Sequence, residues 1–137
     1  MKTLFVSYRV TDLDRSLGFY TALGYTELGR VQADEAGHLV ILKFPDEPAA
    51  SLELVHRPGD GPVDVGSGFD HLAIHVDGLA TTLEKLTEAG LKPGSLQYPA
   101  GPDGPKTSWL TDPDGYRIEL VEWPSGHPDG ITAADFT

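Results

Sequence analysis

The chain has 137 residues, no cysteine, 39% apolar residues and a formal net charge of −11. That length suits one compact domain, and the missing cysteines exclude disulfides and thiolate metal ligands, which fits a cytoplasmic setting. The acidity argues against nucleic acid, whose phosphates need clustered Lys and Arg, and no apolar run nears the ~20 residues of a membrane-spanning helix.

In chain order, Leu4 to Val10 alternates apolar and other residues and reads as a strand. Thr11 or Asp12 then caps a helix with Leu13, Leu17 and Tyr20 at helical spacing, and Gly24 suits its C-terminal end. Strands are expected near Thr26–Ala33, His38–Phe44 and Ala50–His56. A Gly/Pro-rich linker, "RPGDGPVDVGSG", follows. "FDHLAIHV" at Phe69–Val76 then reads as a new first strand, with Asp77 capping a helix whose stripe is Leu79, Leu83 and Leu86 and whose end is Gly90. Three more strands are expected near Leu96–Pro99, Thr107–Thr111 and Arg117–Trp123, the last entered through the tight turn "DPDG" at Asp112–Gly115.

These two series are copies of each other. An offset of 66 carries Val10 onto Val76, Leu13 onto Leu79, Leu17 onto Leu83 and Gly24 onto Gly90, and "LELV" at 52–55 onto "IELV" at 118–121. The chain is therefore read as one α+β domain, residues 1–137, made of two βαβββ modules. Module one is 3–56, the linker 57–68, module two 69–123, and residues 124–137 form a peripheral tail.

Alternation along the strands sorts their faces. Leu4, Val6, Tyr8 and Val10 oppose Phe5, Ser7 and Arg9, while Leu72, Ile74 and Val76 oppose His71, Ala73 and His75. Leu52 and Leu54 oppose Glu53, as Ile118 and Leu120 oppose Arg117 and Glu119. The apolar faces are those the helices should cover. The other faces are either wetted by solvent or line a concave cavity. Glu at the same place in both copies, bracketed by apolar residues, favours the cavity, where a carboxylate needs a cation, a metal or hydrogen-bond donors.

"RVTDLDRSLGFYTALGY", "GFDHLAIHVDGL" and "DPDGYRIELVE" together resemble the vicinal oxygen chelate superfamily, which includes glyoxalase I, bleomycin-resistance proteins and extradiol dioxygenases. The resemblance runs from Leu4 to Trp123 and implies paired βαβββ modules whose mixed sheets curl around a cavity. In glyoxalase I-like members it places metal ligands at the positions of Phe5, Glu53, His71 and Glu119, of which Phe5 cannot ligate. It implies one divalent ion per site (Ni, Co, Zn, Mn or Fe), held by Glu53, His71 and Glu119. Glu119 would then be the catalytic general base, and Phe5, Ser7, Arg9, His75, Trp109 and Arg117 would bind substrate. The expected protein is a glyoxalase-like lyase or isomerase acting on a small oxygenated or thiol-conjugated molecule, and a homodimer. Phe5 argues against dioxygenase chemistry.

Each residue has a plainer reading. His71 could be a hydrogen-bonded strand histidine, and Glu53 and Glu119 could pair with Arg9 and Arg117. "QYPAGPDGPKTSW" at 97–109 could be a lid or a simple connection. With those readings the chain is a metal-free small-molecule binding protein of the bleomycin-resistance type.

Overall fold

The computed structural model describes residues 1–35 and 37–137. The chain forms two compact units, Met1–Gly66 and Ser67–Thr137. Among the described residues no helix is long and apolar enough to cross a membrane.

The first unit contains β1 (Val6–Arg9), α1 (Leu13–Leu23), β2 (Thr26–Ala33), β3 (Gly37–Lys43) and β4 (Leu52–His56). Its sheet has the order β1-β4-β3-β2. β1 runs parallel to β4, whereas β3 is antiparallel to both of its neighbours. Parallel neighbours require a crossover, and α1 with the β2–β3 hairpin supplies it.

Asp12 is the residue that caps α1, its Oδ1 accepting from the Arg15 amide at 3.0 Å. Gly24 ends the helix at φ 124°, a conformation that favours glycine. The other glycine the fold requires is Gly37. Its φ is +83°, and a Cβ there would stand 2.5 Å from the His56 carbonyl oxygen.

Tyr20, Val40, Leu42, Leu52 and Leu54 are fully buried and build this unit's core. Each such leucine contributes roughly 2 kcal/mol of transfer free energy. The Tyr8 and Tyr20 hydroxyls hydrogen-bond each other inside the core, so neither is left unsatisfied. Tyr25 stacks on Phe44, ring centroids 3.8 Å apart, and burial, reinforced by Glu47, pushes its phenol well above the usual range.

The second unit contains β5 (Leu72–His75), α2 (Leu79–Glu88), β6 (Lys106–Thr111) and β7 (Arg117–Glu122). Its sheet order is β5-β7-β6, with β5 parallel and β6 antiparallel to β7. Leu79, Ile118 and Leu120 are fully buried. The turn before β7 forms as expected: the Gly115 amide donates to the Asp112 carbonyl at 3.1 Å, and the Asp112 side chain accepts from the Asp114 and Tyr116 amides.

Several sequence expectations need correction. The strand expected over Leu4–Val10 is only Val6–Arg9; Leu4 is 70% exposed and Phe5 precedes the ladder. β4 begins at Leu52, not Ala50. Leu96–Pro99 forms no strand, only the single bridge Gln97–Thr107, since prolines at 93 and 99 lack the N–H a ladder needs. Asp77 does not cap α2. The N-cap is Gly78, and the Leu79 amide donates instead to Glu122 Oε2 of β7, at 3.2 Å.

The 66-residue offset holds where parallel strands meet. Val6–Leu52, Ser7–Glu53, Tyr8–Leu54 and Arg9–Val55 correspond one for one to Leu72–Ile118, Ala73–Glu119, Ile74–Leu120 and His75–Val121. It fails for the third strand. Glu53 faces Ile41, whereas Glu119 faces Trp109, two residues beyond the place the offset assigns to Ile41.

Candidate functional site

In the first unit Glu53 lies on β4 between Ser7 of β1 and Ile41 of β3. The Ser7 hydroxyl donates to Glu53 Oε1 at 2.8 Å. Arg9 is turned toward the segment after β4: its guanidinium is 4.0 Å from the Asp60 carboxylate and donates to the Gly61 carbonyl at 3.4 Å. Phe5 is 40% exposed and presents only hydrocarbon.

In the second unit alternation brings Ala73 and His75 to the face that carries Glu119 and Arg117, and His71, just before β5, reaches the same face through Glu119. His71 Nε2 lies 3.2 Å from Glu119 Oε2, and His71 Nδ1 lies 2.5 Å from Asp70 Oδ2. The hydrogen bond from His71 holds the Asp70 carboxyl below the usual carboxylate range. The imidazole also meets Trp109 edge-on, centroids 5.0 Å apart at 75°. Trp109 in turn carries the Arg117 guanidinium on its face, 4.2 Å from the ring centre.

His75 faces two acids, Asp77 Oδ1 at 3.0 Å and Asp129 Oδ1 at 3.4 Å from its Nε2. Its Nδ1 is buried with no hydrogen-bond partner among the described residues. Asp129 belongs to the C-terminal tail, so the tail is less peripheral than its place outside the repeat implies. There His127 stacks on Trp123 at 4.5 Å and 12° and bonds Asp135 at 2.6 Å. An open cleft of about 390 Å³ is lined by Trp123, His127, Ile131 and Phe136 together with Asp103 and Pro105.

Glu53 takes a hydrogen bond from a serine, Glu119 meets a histidine, and Arg117 is spent on an indole face. Two residues escaped the sequence reading. Asp70 sits beside His71 in "FDH", but strict alternation assigns it to the opposite face; residue 70 precedes β5, where alternation does not bind. Asp129 lies outside the repeat, and nothing in its spacing marks it.

The family described as Glyoxalase/Bleomycin resistance protein/Dioxygenase superfamily matches residues 3–120. The chain belongs to that superfamily. It is 37% identical over 128 residues to the lactoylglutathione lyase of Haemophilus influenzae, covering 89% of this chain and 93% of that one. It is 35% identical, with the same coverage, to the lactoylglutathione lyase of Salmonella typhimurium. It spans only 35% of a probable chloroplastic lactoylglutathione lyase of Arabidopsis thaliana, at 36% identity. Among solved structures, a glyoxalase I mutant from Zea mays superposes with TM-score 0.78 at 30% identity, over 90% of this chain and 46% of that one. A bleomycin-binding protein complexed with bleomycin shares the fold, with TM-score 0.64 at 21% identity over 89% of this chain and 98% of that one. The protein is thus glyoxalase-like, in a superfamily whose members bind small ligands.

Glyoxalase I relatives are in general metal-dependent. Among the described residues no three His, Asp or Glu side chains are gathered to hold an ion. The His71–Glu119 pair nevertheless fits one as two of its donors. Asp70 and Glu119 both only accept, and Asp70 is the nearer, at 2.5 Å against 3.2 Å, so a neutral His71 carries its proton on Nδ1 and turns an Nε2 lone pair toward Glu119. Such a pair suits a cation.

Proposed function

We propose that this protein is a divalent-metal-dependent lyase or isomerase acting on a small oxygenated or thiol-conjugated substrate, with Glu53, His71 and Glu119 assigned as metal donors. The observation that carries this reading is the 3.2 Å approach of His71 Nε2 to Glu119 Oε2 on one sheet face. When bound, the ion supplies positive charge that polarises a substrate carbonyl. Glu119 then acts as general base, moving a proton between neighbouring carbons, and its place between Ala73 and Trp109 in the ladder keeps it at a fixed height on the face. Trp109 supplies a flat apolar wall that limits water, and the Arg117 guanidinium on that wall offers positive charge to an anionic substrate. Ser7 orients Glu53 by donating to one of its oxygens. Arg9 and His75 occupy equivalent places in the two units and are assigned to substrate binding, as is Phe5.

The chain is further proposed to work as a homodimer in the cytoplasm. Light scattering that gives a monomer would contradict the first of these. For the activity, the test is metal analysis of untagged protein together with a lyase and isomerase assay on a thiol-conjugated carbonyl substrate, on the native chain and on Glu53→Ala and Glu119→Gln. We expect stoichiometric metal in the native protein, less in Glu53→Ala, and a loss of about 10²–10⁴-fold in turnover in Glu119→Gln. A native chain without stoichiometric metal sinks the reading.

Phe5 favours a second reading, a metal-free protein that sequesters a small ligand against apolar walls. A thermal-shift screen separates the two: stabilisation by divalent ions and by no cationic organic ligand counts against sequestration.

A further inference from the structure

The three residues Phe69-Asp70-His71 enter β5 outside its ladder, which begins at Leu72. Freed from strict alternation, the Asp70 side chain turns to the imidazole and places Oδ2 2.5 Å from Nδ1. A neutral imidazole carries one N–H, and carboxylates that only accept face both of its nitrogens; the shorter 2.5 Å contact to Asp70, against 3.2 Å to Glu119, puts the proton on Nδ1. That is the less favoured tautomer of a free imidazole, so it needs a support, and Asp70 is that support. On the far side of the ring, Nε2 turns its lone pair to Glu119 Oε2, 3.2 Å away. The edge-on contact with Trp109 restricts the ring against turning out of this line.

We infer that Asp70 is the positioning residue of the site: it fixes His71 in the Nδ1–H tautomer and thereby keeps Nε2 and Glu119 both free to take a divalent cation. The inference rests on the metal-dependent reading above. The reverse tautomer shows why it matters. With the proton on Nε2, His71 would donate to Glu119, and the two donors would satisfy each other instead of an ion. A partner that holds the far nitrogen of a ligating histidine is worth about 10–100-fold in metal affinity.

Asp70→Asn separates these states. An amide donates or accepts equally well and so no longer holds the proton at Nδ1, and Glu119, which only accepts, then draws it to Nε2 and closes the His71–Glu119 hydrogen bond. Asp70 is exposed, so the exchange leaves the core untouched. Two measurements on the whole chain decide the matter. Long-range ¹H–¹⁵N correlations of the metal-free protein at roughly pH 8, above the ordinary histidine range, report the His71 tautomer. Calorimetric titration with Zn²⁺ reports affinity. We expect Nδ1–H in the native protein, Nε2–H in Asp70→Asn with about 10–100-fold weaker Zn²⁺ binding, and recovery of both in Asp70→Glu. An unchanged tautomer in Asp70→Asn, or a changed tautomer with unchanged affinity, overturns the positioning role while leaving the metal reading standing. A native chain that binds no Zn²⁺, Ni²⁺ or Mn²⁺ overturns the metal reading, and with it the purpose assigned to Asp70, even where the tautomer is Nδ1–H.

Discussion

The two units solve the same folding problem and differ where chemistry is possible. Their parallel strand pairs keep one register, and Leu52 and Leu54 in the first unit are as fully buried as Ile118 and Leu120 in the second. A shift of one residue would exchange their faces and expose those side chains, so burial locks the register in both. On the opposite faces no such lock acts. There the first unit has Phe5 at the place where the second has His71, and Ser7 where it has Ala73. Arg9 reaches Asp60 in the first unit, and His75 reaches Asp129 in the second. In both units, then, the residue ending the first strand is tied to an acid in the segment that follows the last strand, by different side chains and from unmatched positions. The repeat preserves packing closely and leaves the polar pairing free to be rebuilt.

Truncating the core gives the strongest test of that symmetry. Leu54→Ala and Leu120→Ala remove equivalent, fully buried side chains, and each is expected to cost about 2–5 kcal/mol. Denaturant unfolding measures both. A difference larger than that range would show that the units are not equivalent hosts despite their common register.

Exchanging Phe5 for the residue at the matching place, Phe5→His, probes the functional asymmetry. If Phe5 stands at the missing ligand position, divalent-metal affinity rises, by about tenfold or more, equal to ~1.4 kcal/mol. Unchanged affinity by calorimetry places Phe5 outside the site. The apolar wall it offers would then be its whole contribution.

The helix starts give a smaller and cleaner contrast. Asp12 caps α1 from its own sequence, whereas α2 begins at Gly78 and borrows Glu122 from β7. Asp12→Ala should cost ~1 kcal/mol, and Glu122→Ala a similar amount through the Leu79 amide. Glu122 also lies 3.5 Å from Lys106, so its loss touches a second contact. Gly78→Asp restores a local cap and should recover most of the Glu122→Ala loss. If it recovers none, the Glu122 side chain matters through Lys106 and not through the helix.

The same residues show which parts of the structure could be read in advance. Alternation and the offset located the buried stripes and the facing of Glu53, His71 and Glu119, because period-two burial leaves a direct trace in sequence. Asp77 was a reasonable cap by residue type, but its carboxylate is engaged by His75, and the actual acceptor stands 43 residues away. Contacts of that range have no local signature. The offset itself held a better clue, since it maps Asp12 onto Gly78. The third strands slipped by two residues because the connection from β6 to β7 is shorter than that from β3 to β4, and only the ladder reveals which residue then faces Glu119.

The smallest effect concerns the tail, which has no counterpart in the first unit. His127 is flanked by Asp135, the Pro128 carbonyl and the Trp123 ring, and Asp103 lines the same cleft. The Asp135 hydrogen bond raises the His127 pKa, and the Thr132 amide followed by His127 lowers that of Asp135. A raised histidine contributes its stabilisation below its unfolded pKa and loses it as pH rises through the folded one. A lowered aspartate contributes above its unfolded pKa and loses it as pH falls through the folded one. The tail is therefore held best between those limits, in the mildly acidic range, and loosens on the alkaline side once His127 is neutral. Amide hydrogen exchange of residues 127–137 against pH reads this directly, with faster exchange expected above the His127 transition and no such step in Asp135→Asn. Because these groups lie at the surface, the overall melting temperature should move little. Exchange that shows the same pH profile in both proteins would mean the Trp123 stack alone secures the tail, and the second unit's added segment would then be held by packing, like its strands, and not by charge.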